Sequence, residues 1–156
     1  MLTLPQRKSP RLQGYDYSQA GAYFITICTH NRVHLFGTIA DAEMVTTSAG
    51  NIATERWFAL PQHHASIELD GFVVMPNHVH GILVFPDDGA LNLSTVMQSY
   101  KSSVTRHIRK ALLQPDLKIW QMRFHDHIIR NERDLNNIRH YVQTNPAGWE
   151  EDTFYS

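Results

Sequence analysis

His78, Val79 and His80 form the first group in this 156-residue chain with metal-binding chemistry. On a β-strand, side chains at i and i+2 share one face, so both imidazoles point the same way while Val79 faces the opposite layer. Two nitrogens so placed can chelate one divalent ion, and they can equally be a hydrogen-bonded pair of sheet histidines. The second group is Tyr141 and Asn145, four residues apart and stacked one turn above each other if that stretch is helical. A phenol becomes a nucleophile once its proton, with an unperturbed pKa of about 10, is removed. The same spacing also fits a plain helix stop at Asn145-Pro146.

Other candidates have ready structural readings. Tyr100 falls on an apolar helical stripe with Val104 at i+4, which assigns it to the core. His125 and His127 share a strand face beside Arg123, Asp126 and Arg130, a setting that fits solvent or substrate contact as well as metal. Trp57, Trp120 and Trp149 offer rings on which bases can stack, with core packing the better reading for Trp57. Cys28 is the single cysteine, lies in an apolar stretch and has no partner for an intramolecular disulfide.

The elements that must position these residues follow from hydrophobic periodicity. AYFITICT (22–29) reads as a strand, with a shorter strand expected over 35–39. A helix is expected from Ser48 to Leu60, ended by Pro61. IELDGFVVM (67–75) and HVHGILVF (78–85), joined through Met75-Pro76-Asn77, are expected to pair antiparallel at the centre of a sheet. A polar loop, PDDGALN, leads to a second helix in which Leu93, Val96, Met97, Tyr100, Val104 and Ile108 follow helical spacing. FHDHII (124–129) reads as a last strand. Asn131 with Asp134 marks a helix start, and Leu135, Ile138 and Val142 form that helix's narrow apolar stripe. Tyr141 then sits about 90° from the stripe, at the edge of the buried face. The order strand, helix, strand, strand, helix, strand, helix implies an α+β domain of two layers around an antiparallel sheet.

The length suits one domain over 1–156, with ordinary globular composition: 42% hydrophobic and 19% charged. No run approaches the roughly 20 apolar residues of a membrane span, and the N-terminal stretch lacks a signal-peptide core, so a cytoplasmic protein is expected. The net charge of −1 conceals an uneven distribution. Residues 31–100 carry two basic and seven acidic side chains, whereas residues 101–139 carry nine basic and four acidic ones. Lys101, Arg106, Arg109 and Lys110 lie on the polar face of the second helix, and Arg7, Lys8 and Arg11 cluster near the N-terminus. Such patches can hold a phosphate backbone, and they are also what two solvated helix faces look like.

The strings VVMPNHVHGILV and WQMRFHDHIIRNERDLNNIRHYVQTNP, preceded by GAYFITICTHNR, resemble the single-tyrosine HUH transposases, in particular the REP-associated tyrosine transposases. HUH denotes His, hydrophobic, His. One departure is His125, where many relatives carry an aromatic residue. The resemblance implies a ferredoxin-like antiparallel sheet with helices packed on it. It also implies catalytic roles for Tyr141, His78 and His80, and metal ligation by His78, His80 and Asn145 with Mg²⁺ or Mn²⁺. The implied activity is cleavage and rejoining of single-stranded DNA at or near hairpins through a 5′-phosphotyrosine, by a monomer or homodimer. DNA contacts are then expected from Lys101, Arg106, Arg109, Lys110, Arg123 and Arg130. Two other phosphoesterase patterns fail on the residues. A histidine-triad hydrolase needs a third alternating His where Ile82 stands, and a metallo-β-lactamase pattern needs Asp-His where Gly81 and Ile82 follow. A non-catalytic hairpin-binding protein of the same fold remains the alternative.

Overall fold

The structure, a computed structural model, describes residues 21–85, 92–152 and 154. The N-terminal basic group and all of the 86–92 loop except Asn92 lie outside the described residues. In chain order the elements are β1 (Ala22–Cys28), β2 (Gly37–Ala40), β3 (Glu43–Thr46), α1 (Ser48–Phe58) and α2 (Leu60–His63). Then come β4 (Glu68–Met75), β5 (His78–Val84), α3 (Leu93–Leu112), β6 (His125–Ile129) and α4 (Glu132–Thr144). The main sheet has the order β4-β5-β1-β6 with every neighbouring pair antiparallel, and β2 and β3 form a separate hairpin. This is the ferredoxin-like α+β arrangement, with its first and third strands at the centre. Among the described residues no helix is long and apolar enough to cross a membrane.

Polar side chains start the long helices by satisfying N–H groups that have no partner within the first turn. Thr47 accepts from Gly50 N (3.1 Å), Asn92 from Thr95 N (3.2 Å) and Asn131 from Asp134 N (2.8 Å). Each cap contributes roughly 1 kcal/mol.

The sheet's two faces have different fates. Ile25 and Ile27 of β1, Val79 and Leu83 of β5, and the apolar stripe of α3 share one core with Trp57 of α1. A Cβ at Gly81 would fall inside the Trp57 ring, so the missing side chain lets α1 approach the strand that carries the histidines. On the opposite face, Ala22, Ile82, Val84 and Ile129 form a smaller core with Leu135 of α4. That core covers only one end of the face.

Three local expectations need correction. The sheet order places β4 at an edge, with only β5 of that antiparallel pair inside, because β1 inserts on the far side of β5. Pro61 does not end the first helix, which stops at Phe58; it sits in the first turn of α2, where its missing N–H costs no hydrogen bond. The short second strand is half of a hairpin whose turn residues, Asp41 and Ala42, both have positive φ (53° and 63°). Without Gly or Asn at those positions, the turn signal is absent from the sequence.

Candidate active site

Where α4 leaves the sheet uncovered, its apolar face gives way to polar groups. In the ladder, Thr26 lies opposite His80 and Cys28 opposite His78. The two imidazoles are buried, and their Nε2 atoms are 3.1 Å apart. Their other nitrogens are engaged: His80 Nδ1 with Thr26 Oγ1 at 2.8 Å and His78 Nδ1 with Asn77 Oδ1 at 2.7 Å. Asn77 uses its amide Nδ2 to donate to the Phe154 carbonyl (2.9 Å), which assigns Oδ1 as the acceptor. His78 therefore donates from Nδ1, and its Nε2 faces His80 and Asp152. Burial, then the neighbouring His78, pushes the His80 pKa down to about 3, so the His80 ring is neutral.

The third group is Asp152, which the sequence reading missed. Its Oδ2 lies 3.5 Å from His78 Nε2 and 4.0 Å from His80 Nε2, and one donor atom from each of the three residues lies within 4.8 Å of the others. Burial pushes the Asp152 carboxyl up. The His78 ring, the Phe154 N–H and the Asn145 amide outweigh that effect and hold it ionised, below the usual carboxylate range. Asn145 Nδ2 donates to Asp152 Oδ2 at 2.7 Å, while Asn145 Oδ1 is buried with no hydrogen-bond partner among the described residues. Two imidazoles, one carboxylate and an orphaned amide oxygen form a donor set that fits a divalent cation. Asp152 carried no sequence signal, because it follows the short helical turn Trp149–Glu151 in a stretch without periodicity. Trp149, considered above for base stacking, instead stacks on His78, with centroids 6.0 Å apart.

Tyr141 stands at the rim, 37% exposed. Its hydroxyl points to Asp152 Oδ2 at 3.4 Å, and its ring meets the edges of His80 (5.3 Å) and Phe24 (6.1 Å). Burial, then the Asp152 charge, pushes its pKa up to about 12, with Asn145 acting in the opposite direction. The helix beneath it is held by Leu135 and Val142, which are buried, and by Arg139, whose Nε and Nη2 reach the two Asp70 carboxylate oxygens at 2.8 and 2.6 Å. Tyr141, Asn145, His78 and His80 are thus brought together from α4 and β5, with Asp152 between them.

The remaining candidates do not join the cluster, although His125 packs against Phe154 beside it (5.6 Å between ring centres). Tyr100 is fully within the core and donates to the Ala53 carbonyl (2.7 Å). His125 and His127 are exposed; His127 pairs with Asp134 at 2.9 Å. Lys101, Arg106, Arg109 and Lys110 line a cleft of about 930 Å³ with Trp120 and Phe124. Two of these cations serve the fold itself: Lys101 Nζ donates to the carbonyls of Gln121 (2.7 Å) and Met122 (3.2 Å), and Arg109 Nε donates to that of Leu117 (2.8 Å). They tie the segment before β6 to α3. Arg106 and Lys110 are exposed or half-exposed on the same helix, and Arg123 and Arg130 are exposed on either side of β6.

Comparisons with known proteins identify the family. A sequence profile described as "Transposase IS200 like" matches residues 17–145. An uncharacterized Haemophilus influenzae protein is 34% identical, over 96% of this chain and 93% of that one. The REP-associated tyrosine transposase of Escherichia coli K12 is 29% identical, over 85% of this chain and 72% of its own length. A solved REP-associated tyrosine transposase bound to a REP hairpin has the same fold, with a TM-score of 0.63 at 23% identity, over 88% of this chain and 72% of that one. The match across most of its length and the shared fold establish that this chain belongs to the IS200-like transposase family of DNA-processing proteins.

Proposed function

We propose that this chain, acting as one cytoplasmic domain, cleaves and rejoins single-stranded DNA at or near hairpins through a covalent 5′-phosphotyrosine on Tyr141. The observation that carries the reading is the meeting of His78, His80 and Asp152 donor atoms within 4.8 Å, with the Tyr141 hydroxyl 3.4 Å from the same carboxylate. His78, His80, Asp152 and the Asn145 oxygen would hold Mg²⁺ or Mn²⁺. When bound, the ion draws charge from a non-bridging phosphate oxygen and makes phosphorus more electrophilic.

The chain's own groups supply the rest. The phenol is protonated at neutral pH, and Asp152 Oδ2 is the acceptor toward which its proton leaves. The Tyr141 oxygen forms a bond to phosphorus as the bond to the 3′-oxygen breaks. The departing oxygen takes up a proton to become a 3′-hydroxyl. Because one phosphoester replaces another, a second 3′-hydroxyl can reverse the step and join strands without ATP. Thr26 and Asn77 hold the two imidazoles in fixed orientations throughout.

The reading is tested by incubating the protein with Mn²⁺ and end-labelled single-stranded hairpin DNA from the regions flanking its gene, then resolving products on a denaturing gel. Cleaved strand plus a protein-linked species is expected. Binding with no cleavage would establish the non-catalytic hairpin-binding alternative instead.

The basic residues have a separate test. Neutralising Arg106, Lys110, Arg123 and Arg130 together should flatten the salt dependence of DNA affinity by about 0.7 in log–log slope for each phosphate no longer neutralised. Replacing the tethered Lys101 or Arg109 should lower stability as well as affinity. An unchanged slope in the four-fold variant would leave those residues as a solvated surface.

A further inference from the structure

The turn after β1 holds two consecutive non-glycine residues, Asn31 and Arg32, in the left-handed region, each with φ of 54°. Asparagine tolerates that conformation; arginine adopts it rarely. Such backbone persists only where its surroundings over-determine it, and it gathers at functional sites. Here the surroundings are tight. His30 N donates to the Ile119 carbonyl (2.8 Å), and Thr29 N donates to that of Asn77 (2.9 Å). The Thr29 hydroxyl lies between the carbonyls of Val33 (2.8 Å) and Asn77 (3.1 Å). The turn is therefore anchored to the residue that orients His78.

The side chain displayed by this turn is the telling one. Arg32 is exposed, and its guanidinium carbon lies 5.9 Å from the centre of the Phe154 ring. That ring is 5.1 Å from the His78 ring. No ion pair among the described residues includes Arg32. A cation with no carboxylate partner among the described residues, one aromatic ring away from a candidate metal ligand, has five donors in a planar fork that matches two phosphate oxygens.

We propose that Arg32 is a phosphate-binding residue of the candidate active site, gripping the phosphodiester presented to His78 and Tyr141. The ligand class is a nucleic-acid phosphodiester, and the assignment rests on the DNA-cleavage reading above for its substrate. The strained turn fixes the direction of approach, while Phe154 supports the flat guanidinium face. As the Tyr141–phosphorus bond forms and the bond to the 3′-oxygen breaks, charge shifts among the phosphoryl oxygens, where a fixed guanidinium is most effective.

The test separates this assignment from the cleavage reading. In a Tyr141→Phe background, where no strand can be cut, affinity for the flanking hairpin oligonucleotide is measured over a salt series in Mn²⁺. Arg32→Gln should bind about five- to tenfold more weakly, and the salt slope should fall by about 0.7. Arg32→Gly relieves the left-handed backbone, so its melting temperature should be no lower than that of the parent while the binding loss persists. Arg32→Lys should retain the slope. With Tyr141 restored, Arg32→Gln and Arg32→Gly should each cut roughly 10²- to 10³-fold more slowly. Unchanged affinity and slope in both the glutamine and glycine variants would overturn the role of Arg32, whether or not the wild type cleaves. Failure of the wild type to cleave would sink the nuclease reading, while the binding series still decides for Arg32.

Discussion

Tyr141→Phe should bind hairpin DNA with wild-type affinity and cut none of it, a loss of roughly 10⁴-fold or more. The substitution deletes one oxygen. The ring that meets the edges of His80 and Phe24 remains, and α4 keeps its Arg139–Asp70 clamp and its buried Leu135 and Val142. The hydrogen bond it removes, 3.4 Å long and directed at Asp152, lies at a half-open rim, so folding should change little. What disappears is the only atom on that side chain able to attack phosphorus. Tyr100→Phe is the matching control: it removes the hydrogen bond to the Ala53 carbonyl deep in the core, should cost about 1 kcal/mol of stability, and should cut normally. Mass spectrometry of the trapped adduct after proteolysis identifies the linked residue. DNA attached anywhere but Tyr141, or normal cleavage by the phenylalanine variant, would refute the assignment.

The second large effect is expected at the cation site. His78→Ala with His80→Ala should abolish cleavage while leaving a gel shift largely intact, and a chelator should do the same to the wild type. Asp152→Asn is the more discriminating change, because it keeps the shape but removes the negative charge and one of the two oxygens that accept from Asn145 and Phe154. It should slow cleavage by at least roughly 10²-fold and weaken Mn²⁺ binding, measured by calorimetry without DNA. Asn145→Ala should lose rate in a way that additional Mn²⁺ partly restores. Undiminished cleavage by the double histidine variant, or unaltered Mn²⁺ affinity in Asp152→Asn, would remove those residues from the metal role.

Much of this arrangement is legible in the sequence, for definite reasons. Strand alternation puts His78 and His80 on one face and Val79 on the other, and the ladder has that parity. Helical spacing puts Tyr141 one turn from Asn145 at the edge of the stripe made by Leu135 and Val142, and both residues reach Asp152. The Asn131 cap and the burial of Tyr100 follow from the same periodicities. Asp152 was not legible, because beyond the local N–H of Phe154 it is held by an asparagine amide and two ring nitrogens brought to it by the fold. The left-handed turn at Asn31 and Arg32 escaped for a related reason, since long-range hydrogen bonds from His30 and Thr29 impose it against local preference. Nor does charge patterning reveal that Lys101 and Arg109 tether a loop.

The distance in sequence between β5 and Asp152 imposes an order on the protein's making. Translation proceeds at about 5–20 residues per second, so roughly 4–15 s separates the synthesis of His80 from that of Asp152. In that interval the nascent chain can pair β1 with β5 and seat Trp57 against Gly81, because those contacts lie earlier in the chain. It has its imidazoles but not its carboxylate. On the proposed ligand set, a polypeptide still on the ribosome, or one released before Asp152, lacks the one carboxylate of the candidate cation site.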